Sequence, residues 1–556
     1  MALDRCAARY VNRGRSPWLI GAFALAALTA VSLQAQVTFD RLLHTDREPH
    51  NWLTYSGNLS GQRYSPLTQI NAGNVKNLEL QWVWQAKSVE KYEATSIVLD
   101  GVLYTIQAPN NTNNTDGNTQ IVALDAATGR QFWTFRYNLA STARTCCGRV
   151  NRGLAILGDT LYMGTLSSHL IAISAKNGTL LWDTTITTTA GYPITSAPFV
   201  IKDKVIVGTG GGDGAIRGFI AAFDAKTGKE VWRFYTIPGP GEPGNDTWLG
   251  ESWKTGGAGV WNAGAYDPET NQVFFGIGNP SPTGNGNVRL GDNLYSDSVV
   301  ALDADTGALK WHYQFTPHDD MDYDATQVPI LADIEFRGRM RKVMLWANRN
   351  GLMYVLDRTT GEFLQGKPFV KVNWMDGFDE KGRPRRIPGR IAGAGGDSVP
   401  IMPTVLGATN WYPASFSPKT GLFYVPGWEN TSRGGPARTA GNNTPMADTV
   451  LAPNVKTDEE GYGFVRAFDP KTLEQKWEFK MADITWAGAL STAGDVVFGG
   501  GREGYFFALD SRSGSLLWKV NLGGQVNSGP MSYAVNGRQY IGVAAGQSLF
   551  TFALRQ

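Results

Sequence analysis

Residues 315–324, FTPHDDMDYD, concentrate acidic groups among apolar and aromatic ones. Four carboxylates fall within six residues: Asp319, Asp320, Asp322 and Asp324. Carboxylates this close repel one another, so the segment is either a solvated loop or a set of oxygen ligands for a hard cation. The apolar neighbours disfavour a solvated loop, and Asp322 and Asp324 share one side of an extended segment. The pattern therefore predicts a metal site that includes this pair.

The N-terminus indicates export. Four arginines precede the apolar run WLIGAFALAALTAVSL, which ends in small and polar residues near Ala35. Residues 1–35 are therefore predicted to be a secretory signal peptide, removed on export to the periplasm. The alternative is an uncleaved membrane anchor, but the run is short for a span. No later segment is expected to cross a membrane.

The mature chain keeps two cysteines, which are adjacent: Cys146 and Cys147. Neighbouring cysteines form either a strained vicinal disulfide or two buried free thiols. An exported protein enters an oxidising compartment, which favours the disulfide. Strained elements of this kind cluster at functional sites, so this pair is a candidate site feature.

These groups need a scaffold, and the chain supplies a repeat. The unit A-L-D-x-x-T-G-x-x-x-W recurs in seven copies, which end at Trp133, Trp182, Trp232, Trp311, Gln365, Trp477 and Trp518. An eighth element, NVKNLELQWVW, ends at Trp84 and lacks the turn. In each copy, Asp can bind backbone N–H groups of the turn and Gly permits positive φ between two strands. Such hairpins cannot bury their faces alone and must pack on one another.

Two further strand signals precede each copy, so the repeat predicts an all-β, eight-bladed propeller over residues 36–556. Only three strand signals follow Trp518, and the strand near residues 78–84 should complete the last blade. Long connections at residues 238–259, 280–297, 374–403 and 428–463 are expected to cap one mouth of the ring. The net charge of +2 and the scattered charges give no basic face for nucleic acid.

Several segments resemble the quinoprotein alcohol dehydrogenases, the pyrroloquinoline-quinone (PQQ) family that includes methanol and ethanol dehydrogenases. The matching segments span nearly all of the mature sequence: NWLTYSGNLSGQRYSPLTQIN, CCGRVNRG, ITSAP, AIRGFIAAFD, WKTGGAGVW, GIGNPSP, TPHDDMDYD, NRNGLMYVLDRTTG and TWAGALSTAGDVVFGG. The resemblance implies oxidation of alcohols to aldehydes or ketones by metal-bound PQQ.

The resemblance also implies where PQQ binds. The cofactor would lie on the propeller axis, between Trp261 and a Cys146–Cys147 disulfide, a sandwich that gains stacking area. The positions that match contacts to its carboxylates and edge oxygens are Glu93, Arg152, Thr195, Asn410 and Trp486. Arg349 matches the arginine at the quinone oxygens that are reduced, which makes it a catalytic candidate together with Asp322.

One metal ion is implied beside PQQ, held by Asn279, Asp322 and Asp213. Better-known relatives carry Glu at the last position, and the alternative for Asp213 is an exposed residue in a Gly-rich turn. Asp324 matches a position where lanthanide-using relatives carry Asp and calcium-using relatives carry a small residue. We therefore expect a lanthanide(III) ion rather than Ca²⁺, the alternative being that Asp324 only accepts hydrogen bonds.

In the implied reaction, Asp322 is the base that takes the hydroxyl proton of the alcohol while a hydride passes to PQQ. The chain lacks C-x-x-C-H, so no c-type haem is attached and a separate acceptor is expected, most simply a soluble cytochrome c. Two alternatives remain: a sugar or polyol dehydrogenase of the same family, and a cofactor-free periplasmic propeller that binds protein partners. The resemblance leaves a homodimer open.

The adjacent cysteines yield the first prediction. In the exported protein, Cys146 and Cys147 should be joined, so the native protein should resist alkylation until it is reduced. Intact-mass spectrometry with alkylation before and after reduction measures this difference. Two thiols that are readily alkylated in the native protein would contradict the disulfide.

Overall fold

The structure is a computed structural model that describes residues 36–109, 118–139, 145, 147–390, 401–429 and 461–555. The predicted signal peptide and Cys146 lie outside these residues, so the signal peptide and the disulfide stay predictions. The described residues belong to one unit, Gln36–Gln556. Among them, no helix has the length and apolar character that a membrane span requires.

Before the first complete sheet, the chain forms a short helix, α1 (Phe39–Leu43), and two strands, β1 (Tyr64–Ser65) and β2 (Leu78–Gln85). The described 3₁₀ helices are Thr45–Arg47, Val75–Asn77, Asn245–Thr247, Ser252–Thr255 and Gly286–Val288. Thr38 caps α1, because its side chain accepts the Arg41 N–H at 3.3 Å.

Eight four-stranded antiparallel sheets follow, and they are the eight blades that the repeat predicts. Blade 1 contains β3 (Ile97–Leu99), β4 (Val102–Gln107), β5 (Asn118–Asp125) and β6 (Gln131–Asn138). Blade 2 contains β7 (Ala155–Leu157), β8 (Thr160–Gly164), β9 (His169–Ser174) and β10 (Leu180–Thr185). Blade 3 contains β11 (Phe199–Ile201), β12 (Lys204–Gly208), β13 (Phe219–Asp224) and β14 (Glu230–Tyr235). Blade 4 contains β15 (Ala265–Asp267), β16 (Gln272–Gly276), β17 (Ser298–Asp303) and β18 (Leu309–Gln314).

The second half of the ring repeats this order. Blade 5 contains β19 (Ile330–Phe336), β20 (Arg339–Ala347), β21 (Leu352–Asp357) and β22 (Phe363–Pro368), and a separate hairpin of β23 (Met375–Phe378) and β24 (Pro384–Arg386) follows. Blade 6 contains β25 (Ser415–Ser417), β26 (Leu422–Glu429), β27 (Tyr462–Asp469) and β28 (Glu474–Met481). Blade 7 contains β29 (Leu490–Thr492), β30 (Val496–Gly500), β31 (Tyr505–Asp510) and β32 (Leu516–Asn521). Blade 8 contains β33 (Met531–Val535), β34 (Arg538–Ala545), β35 (Ser548–Leu554) and, as its outer strand, β2.

The last blade closes the ring as predicted. β2 pairs antiparallel with β35, in a register that runs from Leu78 opposite Leu554 to Gln85 opposite Ser548. β1 adds a parallel pair to blade 7, with Tyr64 opposite Ser491. The N-terminal segment therefore covers strand edges that would otherwise be open to other chains.

Contacts between tryptophans and turns join successive blades. The Trp133 indole donates its N–H to the Ala175 carbonyl in the next blade at 3.2 Å, and Trp232 does the same to Ala304 at 3.2 Å. The turn glycine of the next blade lies against the ring, because a Cβ on Gly307 would come within 2.6 Å of Trp232. Glycine is therefore required at this position for two reasons: the φ is positive, and the tryptophan ring leaves no room for a Cβ.

One blade replaces both partners of this contact. In blade 5 the tryptophan position is Gln365, whose side-chain amide donates to the Pro470 carbonyl of blade 6 at 2.9 Å. The turn that it meets carries Leu473 where the other copies have Gly, at a φ of 55°. Leucine fits there because no indole covers the turn, so the two departures from the repeat explain each other.

The sequence analysis aligned the eighth element on the wrong tryptophan. The residue that contacts the next blade is Trp82, whose N–H donates to the Ala126 carbonyl at 3.2 Å. A Cβ on Gly129 would lie 2.7 Å from the Trp82 ring. Trp84 instead makes an edge contact with Tyr92. In the other copies the turn shows which tryptophan belongs to the repeat, and the eighth element lacks this turn.

The tryptophan contact predicts a difference between two glycines. Gly307→Ala should lower the melting temperature more than Gly338→Ala, although both glycines have φ near 75°, at 73° and 79°. The shared left-handed strain costs about 1–2 kcal/mol, but only Gly307 faces an indole, and nothing lies within 4 Å of a Cβ on Gly338. Overpacking should add about 1–3 kcal/mol to the first variant. Thermal denaturation followed by circular dichroism measures the difference, and equal melting temperatures would contradict it.

Candidate functional site

The predicted site residues occupy equivalent places in the fold. Seven described positions lie in connections from the outer strand of one blade to the inner strand of the next: Glu93, Arg152, Thr195, Trp261, Asp322, Asn410 and Trp486. Asp213, Asn279 and Arg349 lie in connections between the second and third strands. In an antiparallel blade these two kinds of connection leave the sheet at the same end, whereas the repeat's own turn lies at the other. The fold therefore gathers the predicted residues at one end of the ring.

The acidic segment divides into two pairs of carboxylates with different tasks. Asp319 closes the loop on itself, because its carboxylate accepts the N–H groups of Met321 at 2.9 Å and Tyr323 at 2.8 Å. Asp320 forms an ion pair with Arg386 at 2.8 Å. Asp322 and Asp324 are left to face the site. All four are buried, so the solvated-loop alternative is wrong.

Arg349 joins the two site-facing carboxylates. Its guanidinium donates to Asp322 Oδ2 at 2.8 Å and, through its other terminal nitrogen, to Asp324 Oδ2. Its remaining donors meet the Val405 carbonyl at 3.1 and 2.6 Å. Gly407 is needed beside it, because a Cβ there would lie 2.0 Å from Arg349 Cγ. The arginine is thus fixed at both ends of its fork.

One guanidinium cannot neutralise two buried carboxylates. Burial raises the pKa of Asp322 and of Asp324, although Arg349 opposes both shifts. Burial alone would lower the pKa of Arg349, but the two carboxylates outweigh it and raise that pKa. When both carboxylates are ionised, the trio carries one negative charge more than Arg349 neutralises, and a bound cation can compensate it.

Asp324 also connects the trio to the other predicted residues. Its Oδ1 accepts the Asn279 backbone N–H at 2.8 Å and the Trp261 indole N–H at 3.4 Å. The Asn279 side chain lies 3.4 Å from Asp213 Oδ1. Asn279 is buried, whereas Asp213 is exposed, as in the alternative of an exposed residue in a Gly-rich turn. The Gly-rich turn does approach closely, since a Cβ on Gly212 would lie 3.0 Å from the Gly259 nitrogen.

A second charged group lies on the other side of Trp261. Arg152 pairs with Glu93 at 2.9 Å and donates to Thr195 Oγ1 at 3.1 Å and to the Trp261 carbonyl at 3.2 Å. Its guanidinium lies 5.0 Å from the Trp261 ring centroid and 4.7 Å from that of Trp411. Burial raises the pKa of Glu93, and Arg152 opposes the shift.

The remaining predicted residues lie next to this network. The Asn410 side chain accepts the backbone N–H of Trp411 at 2.9 Å, and the ring of Trp411 covers Arg152. Trp486 is half-buried, and the Lys91 ammonium lies 4.2 Å from its ring centroid. Cys147 is exposed, and its predicted partner lies outside the described residues.

Several residues of the site were not predicted from the sequence. Trp411 and Arg289 are in contact with it, and Asp297 is completely buried with neither carboxylate oxygen hydrogen-bonded. Burial raises the pKa of Asp297, and Asp319 adds to the shift. Trp411 could have been predicted, because it directly follows Asn410 in the sequence. Arg289 and Asp297 lie in a long connection that contains no repeat, so no sequence pattern indicated them.

The residues present fit a planar, anionic cofactor and a hard cation. Arg152 Nε is buried without a hydrogen-bond partner, although the two terminal nitrogens of the same guanidinium contact Glu93 and Thr195. Such orphaned groups are rare unless a ligand completes them. Trp261 contacts both charged groups, because its carbonyl accepts from Arg152 and its indole N–H donates to Asp324. Carboxylate and amide oxygens are the donors that Ca²⁺ and similar hard cations prefer.

Comparison with known proteins agrees with this arrangement. Residues 52–373 and 480–541 match the family model "PQQ: Glucose/ethanol/alcohol dehydrogenase, beta-propeller domain". The chain is 38% identical over 545 residues to quinohemoprotein alcohol dehydrogenase ADH IIB of Pseudomonas putida, with 94% of this chain and 77% of the relative covered. It is 36% identical to quinoprotein alcohol dehydrogenase PedH of Pseudomonas putida, with 94% of this chain and 90% of the relative covered.

Solved structures give the same result. The quinohemoprotein alcohol dehydrogenase of Comamonas testosteroni superposes with a TM-score of 0.84 at 35% identity, over 93% of this chain and 82% of that one. A europium-containing methanol dehydrogenase superposes with a TM-score of 0.83 at 31% identity, over 93% of this chain and 100% of that one. The chain therefore belongs to the family of PQQ-dependent, or quinoprotein, alcohol dehydrogenases.

Proposed function

We propose that this protein is a periplasmic dehydrogenase that oxidises alcohols to aldehydes or ketones with PQQ and one metal ion. The observation that carries the proposal is the buried trio of Asp322, Arg349 and Asp324, next to Trp261. Blade packing requires none of these contacts, because the blades are joined through tryptophans and turns at other positions. A cofactor-free scaffold would have no reason to bury this charge.

The chain's own residues would divide the work. PQQ, when bound, supplies the two-electron acceptor, and Trp261, Glu93, Arg152, Thr195, Asn410 and Trp486 would hold it, with Cys146 and Cys147 as the predicted opposite face. Asp322 would take the hydroxyl proton of the alcohol as a general base. Arg349 would hold Asp322 in place and supply a positive charge where negative charge develops.

The charge balance supports a trivalent metal. The described residues around the acidic segment include six carboxylates: Asp213, Asp297, Asp319, Asp320, Asp322 and Asp324. Three guanidiniums oppose them, those of Arg289, Arg349 and Arg386. Burial raises the pKa of Asp297 and of Asp319, so the negative charge that faces the site comes mainly from Asp213, Asp322 and Asp324. The carboxylate of Asp324 adds charge next to the cation, and a lanthanide(III) ion gains more from that charge than Ca²⁺ does. Asn279, Asp322 and Asp324, with Asp213 nearby, would hold it.

Electrons would leave to an acceptor outside the propeller domain, because the 556 residues shown contain no C-x-x-C-H that binds a c-type haem. A soluble periplasmic cytochrome c fits the predicted export of the chain.

A dye-linked oxidation assay over a panel of alcohols, sugars and polyols, run on the protein loaded with PQQ and metal, tests the function. Absence of turnover with every substrate would overturn it.

Removal of the base yields the next prediction. Asp322→Asn keeps the size of the side chain but cannot accept the hydroxyl proton, so kcat should fall by at least about 10²-fold. The fold should persist, which circular dichroism would verify. Asp376→Asn is the control, because this carboxylate is exposed and pairs with Arg385. Wild-type kcat in Asp322→Asn would assign the role of base to another residue.

The identity of the metal gives a separate prediction. Metal-free protein reconstituted with PQQ and La³⁺ should turn over alcohol faster than the same protein with Ca²⁺. Asp324→Ala should reduce this preference, because it removes one negative charge next to the cation. Initial rates of dye reduction measure all four combinations. Equal or better activity with Ca²⁺, unchanged by Asp324→Ala, would show that the site is built for a divalent ion.

A further inference from the structure

The hairpin of β23 and β24 belongs to no blade, yet it contacts the loop that carries Asp322. Arg386, the last residue of β24, donates to the His318 carbonyl at 2.7 Å and to Asp320 Oδ1 at 2.8 Å. The contact is largely shielded from water, because the side chains of Arg386 and Asp320 are 19% and 5% exposed. One guanidinium therefore fixes both the backbone and a carboxylate of the acidic loop.

A second guanidinium holds the following peptide group. Arg289, from the connection between β16 and β17, is completely buried and donates to the Asp319 carbonyl. Its other terminal nitrogen donates to Asn293 Oδ1 at 2.7 Å, which fixes the arginine within its own loop. The hydroxyl of Tyr323 donates to the Pro403 carbonyl. Two long connections that the repeat does not explain, β16–β17 and β22–β25, thus converge on one short loop.

These contacts surround a residue in an unfavourable backbone conformation. Asp322 has a φ of 67°, in the left-handed region that costs a residue other than glycine about 1–2 kcal/mol. Such a conformation persists only where its surroundings determine it. Asp319 fixes the turn from inside the loop, and Arg289 and Arg386 fix its backbone from outside.

We propose that Arg386 is a positioning residue, which holds the Asp322 loop in the shape that presents Asp322 and Asp324 to the site. Its activity readout rests on the proposed function, but its effect on loop order and cation binding does not. Without Arg386, Asp320 would be a buried carboxylate without its ion-pair partner, and the loop would have to move to hydrate it. Because Asp320 is two residues from Asp322, that movement would displace the proposed base.

The neighbouring arginine provides a matched control. Arg385 lies on the same strand, is 55% exposed and pairs with Asp376, which is 60% exposed. Arg385→Gln removes a charge from the hairpin without touching the acidic loop. Arg386→Lys keeps the positive charge but replaces the guanidinium, which bonds two groups at once, with a single ammonium group. It should therefore retain part of the loop order and cation affinity that Arg386→Gln loses.

The first readout needs neither cofactor nor turnover. Hydrogen exchange measured by mass spectrometry on metal-free protein should show faster exchange of the Met321 and Tyr323 amides in Arg386→Gln than in Arg385→Gln. Both amides are hydrogen-bonded to Asp319 in the ordered loop. Arg386→Lys should fall between the two. If Arg386→Gln proves unstable, the comparison of Arg386→Lys with Arg385→Gln alone carries the test.

The second readout is cation binding. Titration of the metal-free proteins with Tb³⁺, followed by luminescence, should give a dissociation constant about tenfold higher for Arg386→Gln than for Arg385→Gln. In the loaded enzyme, kcat should fall about tenfold or more while KM for the alcohol changes little, because the base is displaced rather than the substrate contacts.

The outcomes separate the two hypotheses. Loss of loop protection and of Tb³⁺ affinity in Arg386→Gln, graded through Arg386→Lys, supports the positioning role even if no alcohol is oxidised. Identical exchange and Tb³⁺ affinity in Arg386→Gln and Arg385→Gln would overturn it, whatever the activity. Failure of every variant and of the wild type to oxidise alcohols would count only against the proposed function.

Discussion

The contact between the tryptophan of one blade and the glycine turn of the next sets the geometry on which the site depends. Each blade is placed relative to its neighbour by an indole that both donates a hydrogen bond and covers a turn, as Trp232 does on Gly307. Since this contact lies at the end of the blades away from the site, the opposite connections are free to vary. Regular spacing at one end therefore permits irregular, chemically specialised loops at the other.

Electrostatics then decides what those loops can do. Burial makes isolated carboxylates costly, so a site that retains Asp297, Asp322 and Asp324 must be compensated by cations. Arg349 supplies part of that compensation, and in the proposed function a metal ion would supply the remainder. The pair of Glu93 and Arg152 is more nearly balanced, which suits polar recognition of a cofactor better than metal binding.

Most of the fold was predictable because the repeat marks it locally. Apolar strands, an Asp that binds turn amides and a glycine with positive φ recur at each copy, so the eight blades and the closing strand followed from the sequence. The register of β2 was assigned wrongly, since Trp82 and Trp84 cannot be told apart without the turn. Arg289 and Arg386 were not predicted, for a related reason. Their loops contain no repeat, and only folding of the ring brings them to the acidic segment. The site residues came from resemblance, which short motifs such as NRNG and GIGNPSP preserve.

The pairing of β2 with β35 has a consequence for how the molecule is made. The two strands lie at opposite ends of the described chain, so this seam is a contact of very high sequence separation, the kind that forms late and slowly in folding. Glu93 follows β2 directly in the connection to blade 1. Because Glu93 is connected to β2, we expect its side of the site to become ordered only after β35 has been synthesised and has paired with β2. Closure of the ring is therefore expected to precede completion of the binding site.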